Sequence, residues 1–138
     1  MDDKVIAKAG IAIQIYCKVW HMKKALAEFA WADDQELLTI ETREQHPKLS
    51  LSYKNEERGI ETKFQFREDI EDLIYKDIAE AKLDYSIESL RLAFTRTNAE
   101  NLSCVLIINF NGIMNVKIYH ENLLSISESS IIPEKLFD

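Results

Sequence analysis

Residues 11–29, IAIQIYCKVWHMKKALAEF, carry two periods at once. Ile11, Ile13, Ile15, Cys17 and Val19 alternate as a half-buried strand would, and β-branched residues favour strands. Ile11, Ile15, Val19, Met22, Leu26 and Phe29 are instead spaced by fours and threes, the period of one helix face. Met22 to Ala30 is rich in good helix formers. Because the helical period covers more of the chain, the sequence predicts a helix from about Lys4 to Ala30. Its first half is apolar nearly all round and therefore central to the core.

Downstream of it, three segments alternate with period two. Leu38, Ile40 and Thr42 share a face within Glu36 to Arg43, as do Leu49, Leu51 and Tyr53 within Lys48 to Lys54. Ile60, Thr62, Phe64 and Phe66 do the same within Ile60 to Phe66. Glu44-Gln45-His46-Pro47 and Asn55-Glu56-Glu57-Arg58-Gly59 supply the connections, so the three read as an antiparallel meander.

Arg67 to Glu88 is the acidic part of the chain. Glu68, Asp69, Glu71, Asp72, Asp77, Glu80, Asp84 and Glu88 face only Arg67, Lys76 and Lys82, against a net charge of −7 for all 138 residues. Ile70, Leu73, Ile74, Ile78 and Ala81 fall at helical spacing, and Leu83, Ile87, Leu90 and Phe94 extend the pattern to about Thr97. The expectation is a second long helix with an acidic outer surface. Ser86 is either an exposed helical serine or a cap that divides it.

Leu102 to Phe110 and Ile113 to Tyr119 are β-rich runs joined by Asn111-Gly112, the dipeptide that favours a type I′ hairpin turn. Leu124 to Asp138 keeps Ile126, Ile131, Ile132, Leu136 and Phe137, as a docked tail does. The whole predicts an α+β domain spanning 1–138, with an antiparallel sheet of about five strands packed against two long helices and ending in a β-hairpin. At 46% hydrophobic the chain can build that core without metal or disulfide. Cys17 and Cys104 sit in apolar runs and read as buried reduced thiols, with no disulfide between them. Three glycines and two prolines leave no interdomain linker, and no block of twenty to fifty residues recurs.

Composition narrows function by exclusion. The longest early uncharged run, Ala9 to Cys17, is far short of the roughly 20 apolar residues of a membrane span, and the acidic start Met1-Asp2-Asp3 is unlike a signal peptide. A cytoplasmic protein is expected. With 17 Lys and Arg and no basic stripe, direct nucleic-acid binding is disfavoured. His21, His46 and His120 stand in no catalytic or zinc-binding signature, and the acidic run lacks the glycine turn of a calcium loop. Hence no enzyme, no metal site and no cofactor is expected. What remains is an acidic surface suited to a basic protein partner, with Glu68, Asp69, Glu71, Asp72 and Glu80 as candidate contacts and Tyr75 and Tyr85 as aromatic anchors.

Leu90-Arg91-Leu92-Ala93-Phe94, the Leu102 to Phe110 strand, Asn111-Gly112 and Val116-Lys117-Ile118-Tyr119-His120-Glu121 together resemble the YezG-like immunity proteins of bacterial toxin systems. The likeness is carried mainly by residues 86–124, with echoes at Ile15-Tyr16 and Trp31. It implies a cytoplasmic immunity protein that binds and neutralises a cognate toxin domain, often a nuclease, and needs no catalytic residue. Another acidic interaction module or DNA-mimicking inhibitor is the alternative, and a small hydrolase a third.

Overall fold

The computed structural model describes residues 11–67, 73–95, 102–120 and 125–134. Among these, nine strands and two short helices follow in the order β1 (Ile11–Lys18), α1 (Val19–Ala27), β2 (Leu37–Thr42), β3 (Leu49–Asn55), β4 (Ile60–Gln65), β5 (Ile74–Lys76), β6 (Ala81–Ser86), α2 (Ile87–Thr95), β7 (Leu102–Asn109), β8 (Met114–His120) and β9 (Ser125–Ile131). The expected single sheet against two long helices is thereby corrected. The strands form two antiparallel sheets, β5-β1-β7-β8-β9 and β4-β3-β2-β6, and each helix is only nine residues long.

At the two junctions of strand and helix the misreading has one physical cause, whereas Ile74, Ile78 and Ala81, spaced by four and three, mimic a helix face across β5, a connection and the start of β6. A spacing of four is a multiple of two, so it puts residues on one face of a strand as well as on one face of a helix. Ile11, Ile15 and Val19 satisfy both periods, and only the odd step from Val19 to Met22 requires a helix. That step is where α1 begins. In the acidic segment Leu83 to Ile87 is again four, Ile87 to Leu90 is the odd step, and α2 begins at Ile87. Upstream of each odd step the alternation is that of a strand: Ile13, Ile15 and Cys17 in β1, Leu83 and Tyr85 in β6, all buried. The acidic helix predicted over 67–97 is therefore β5, a connection, β6 and α2 in the described part, and the Ser86 hydroxyl caps α2 by accepting the Ser89 N–H at 3.3 Å.

β2, β3, β4, β7 and β8 lie within a residue of the predicted strand runs. The three-residue loop Phe110-Asn111-Gly112 closes on the Asn109–Ile113 pair, with Gly112 N–H donating to Asn109 O at 2.9 Å. Gly112 has φ +94°, whereas among the described non-glycine residues only Asp77 has a positive φ, so this is a turn followed by a glycine bulge rather than the expected type I′ pair. The tail joins as β9, then continues along the other sheet, where Glu134 N–H donates to Asp84 O at 2.8 Å.

A duplication of pattern underlies the order. β1-α1-β2-β3-β4 and β6-α2-β7-β8-β9 are each a strand, a helix and a three-stranded meander, and each gives its first strand to the other's sheet, β1 to β7 and β6 to β2. In order, Ile13, Ile15, Cys17, Val19, Met22, Ala25 and Leu26 correspond to Ala81, Leu83, Tyr85, Ile87, Leu90, Ala93 and Phe94. All are buried except half-buried Ala81, and only the alanine pair at 25 and 93 is identical. Burial recurs where identity does not. The inward faces of both sheets and of both helices share one apolar cluster, with Phe29, Phe66, Tyr85 and Phe94 among its largest members.

Candidate protein-binding surface

α1 does not stop cleanly. Beyond Ala27 the chain continues in single turns, with Phe29 N–H donating to Leu26 O, Ala30 to Ala27 and Ala32 to Phe29. Phe29 and Ala32 are buried, so the turn is pulled onto the core, and Trp31 between them faces out at 47% exposure. Arg91 of α2 fixes this loop from beneath. Its Nη2 donates to Phe29 O at 2.8 Å and Ala32 O at 2.9 Å, and its Nη1 to Asp34 Oδ1 at 2.5 Å. Three charge-assisted bonds from one planar guanidinium fix both carbonyls and the carboxylate in one arrangement.

The tryptophan is itself oriented. Its Nε1 donates to Glu28 O at 3.2 Å, and its ring meets Tyr53 of β3 edge-on, with centroids 5.0 Å apart. The Tyr53 hydroxyl donates a hydrogen bond to Glu36 Oε2 and accepts one from Asn55 Nδ2 at 3.2 Å. The bond to Glu36, with burial second, raises the Tyr53 pKa above its ordinary value. Within three residues of Trp31 along the chain stand the exposed carboxylates Glu28, Asp33 and Asp34. An open apolar groove of about 300 Å³ between the helices shares Arg91 and Ala30 with this loop and is otherwise lined by Lys23, Leu26, Ala27, Phe94 and Thr95. A pre-positioned aromatic side chain amid acidic groups and beside an apolar groove has the make-up of a protein-binding hot spot.

The contacts predicted from sequence are placed differently. Glu68, Asp69, Glu71 and Asp72 lie outside the described residues. Tyr75 is half-buried on β5, the edge strand opposite Ile15, with the Lys48 amine 5.6 Å above its ring. Glu80 precedes β6 of the other sheet, in an open depression lined by Glu41, Thr42, Arg43, Ala81 and Lys82, where both signs of charge mix. Tyr85 is fully buried and its hydroxyl donates to Gly112 O at 2.6 Å, so it is a core residue and not an anchor. The Trp31 surface was missed because acidic charge was weighed as a run. The available signal was an aromatic residue next to Ala32-Asp33-Asp34 just past a helix.

Among the described residues no three His, Cys, Asp or Glu side chains converge to hold a metal ion, and no helix is long and apolar enough to cross a membrane. Comparison of the sequence with protein-family models and with curated proteins returns no match.

Proposed function

We propose that this chain is a cytoplasmic immunity protein that binds a cognate bacterial toxin domain and neutralises it by covering a basic active surface, as a nuclease carries. The observation that carries the proposal is the Trp31 surface: an exposed tryptophan held by Tyr53 and the Arg91-braced loop, with carboxylates at its side, on a chain of net charge −7. A nuclease must present cations to hold phosphates, so an acidic inhibitor gains both steering and complementarity from the same charges. The likeness of residues 86–124 to YezG-like immunity proteins supports the same reading. Inhibition by occlusion asks for no catalytic group.

The test is co-expression with the domain encoded by the neighbouring gene. Restored growth and a one-to-one complex are expected, and Trp31→Ala should weaken that complex by about tenfold or more, as truncating a central aromatic does. A neighbour that neither kills nor binds removes the immunity reading. Binding to a non-toxic partner instead makes the chain a general acidic interaction module.

A further inference from the structure

β1 and β7 bring Cys17 and Cys104 to one point of the larger sheet, where they are directly opposed in the antiparallel register with their Sγ atoms 3.7 Å apart. Opposed residues of such a ladder have Cα atoms about 4.5–5.5 Å apart, inside the roughly 4.4–6.8 Å that a disulfide spans. Closing the sulfurs to about 2.05 Å therefore asks for side-chain rotation and little backbone movement. Both thiols are buried, Cys17 at 3% exposure and Cys104 at 0%. His21 stands four residues beyond Cys17 in the first turn of α1, where it favours the Cys17 thiolate, and its buried Nδ1 has no hydrogen-bond partner. The Trp20 ring packs over it, centroids 4.0 Å apart. The spacing of four between Cys17 and His21 is visible in the sequence, but it gains meaning only when the register adds Cys104.

We propose that Cys17 and Cys104 form a peroxide-oxidisable dithiol in which Cys17 is oxidised first, Cys104 resolves it to a disulfide, and His21 accepts the Cys17 proton. The contact between the two sulfurs pulls the Cys17 thiol below its ordinary pKa, with a smaller contribution from His21 and against burial. The same contact, burial and the Cys17 charge push Cys104 well above it. That ordering suits one thiol as nucleophile and the other as its proton-bearing neighbour. The Cys17 thiolate attacks one oxygen of hydrogen peroxide and the O–O bond breaks, leaving a sulfenic acid on Cys17 and a hydroxide that takes the His21 proton to become water. Cys104 sulfur then attacks Cys17 sulfur, the S–O bond breaks, and a second water leaves with the Cys104 proton. The two thiols lose two electrons and the peroxide gains them.

The experiment treats the reduced full-length chain with hydrogen peroxide, then alkylates it under denaturing conditions and weighs it. The wild type should lose the mass of two hydrogens, resist alkylation at both cysteines, and recover with dithiothreitol. Cys104→Ser should stop at a Cys17 sulfenic acid that dimedone labels, and Cys17→Ser should oxidise about tenfold more slowly, since the thiolate is the reactive form. His21→Gln should slow the reaction at neutral pH and regain rate as pH rises. The proposal is overturned if both cysteines stay alkylatable at a dose that oxidises the urea-unfolded chain, if the bridge forms between molecules, or if the two serine variants react alike. Should a serine variant fail to fold, dimedone added to the wild type at early times reports which sulfur is oxidised first; label on Cys104 rejects the order given.

Discussion

Gly112 shows how much one position can decide. Its φ of +94° disfavours any side chain, and a Cβ built there would stand 3.2 Å from both Leu83 Cδ2 and Pro133 Cγ. Gly112→Ala should therefore cost about 2 kcal/mol, through backbone strain and crowding together, in urea unfolding. Gly59, also at positive φ but with open space around it, should lose about 1 kcal/mol as alanine. The Tyr85 hydroxyl bonds the carbonyl of the same glycine, and burial raises the Tyr85 pKa far above its ordinary value of 10. Burial raises Tyr119 as well, and the Glu36 bond raises Tyr53. Since each folded value exceeds the unfolded one, their stabilisation is complete below pH 10 and is lost as pH climbs through the folded values. Melting temperature should accordingly fall with alkaline pH above 10, and Tyr85→Phe should flatten that slope while costing about 1 kcal/mol at neutral pH for the lost hydrogen bond. At this scale Asn111-Gly112 foretold the hairpin but not its turn, because the dipeptide fits both a two-residue loop and the end of a three-residue one.

Elements were legible where the apolar spacing admits a single reading or where turn signals bound a β-rich run. β3 and β4 alternate without any competing step of three, β2, β7 and β8 are marked by β-rich composition between turn signals, and all five lie where the sequence puts them. β1 and β6 were hidden because steps of four fit both periods, and each runs straight into a helix with no glycine or proline between. The two junctions are nevertheless built differently. Lys18 precedes α1 in extended geometry with no side-chain cap bond, whereas Ser86 caps α2 through Ser89 N–H. Ser86→Ala should thus lower stability by about 0.5–1 kcal/mol, the usual worth of a capping hydroxyl, with both sheets intact by circular dichroism. An unchanged unfolding midpoint would show that packing of Ile87, Leu90 and Phe94 alone holds the start of α2. The candidate site follows the same rule. Its carboxylates were countable from sequence, but what makes Trp31 an anchor is Arg91, sixty residues away along the chain and brought beneath the loop only by the pairing of the helices.

The whole molecule was the least legible scale, because its sheets are closed by long-range pairings that leave no local trace. Nothing near Ile13 announces that its strand will lie beside Ile108, or near Leu83 that it will face Ile40. What composition does fix at this scale is charge, and charge sets the final prediction. For an acidic inhibitor meeting a basic toxin, long-range attraction acts on encounter, while the Trp31 contact acts once the surfaces have met. Salt should therefore slow association and leave dissociation nearly unchanged, since exposed charges are screened over about 8 Å at physiological ionic strength. Reversing Glu68, Asp69, Glu71 and Asp72 to Lys should slow association by about tenfold or more, and reversing Glu28 and Asp33 should do so as well if the toxin approaches the Trp31 face. Asp34 is left in place because it binds Arg91. Trp31→Ala should instead speed dissociation. Surface-plasmon kinetics on the co-expressed toxin domain separate these effects: an on-rate indifferent to both sets of reversals rejects electrostatic steering, and an off-rate indifferent to Trp31→Ala moves the interface away from the α1–β2 loop.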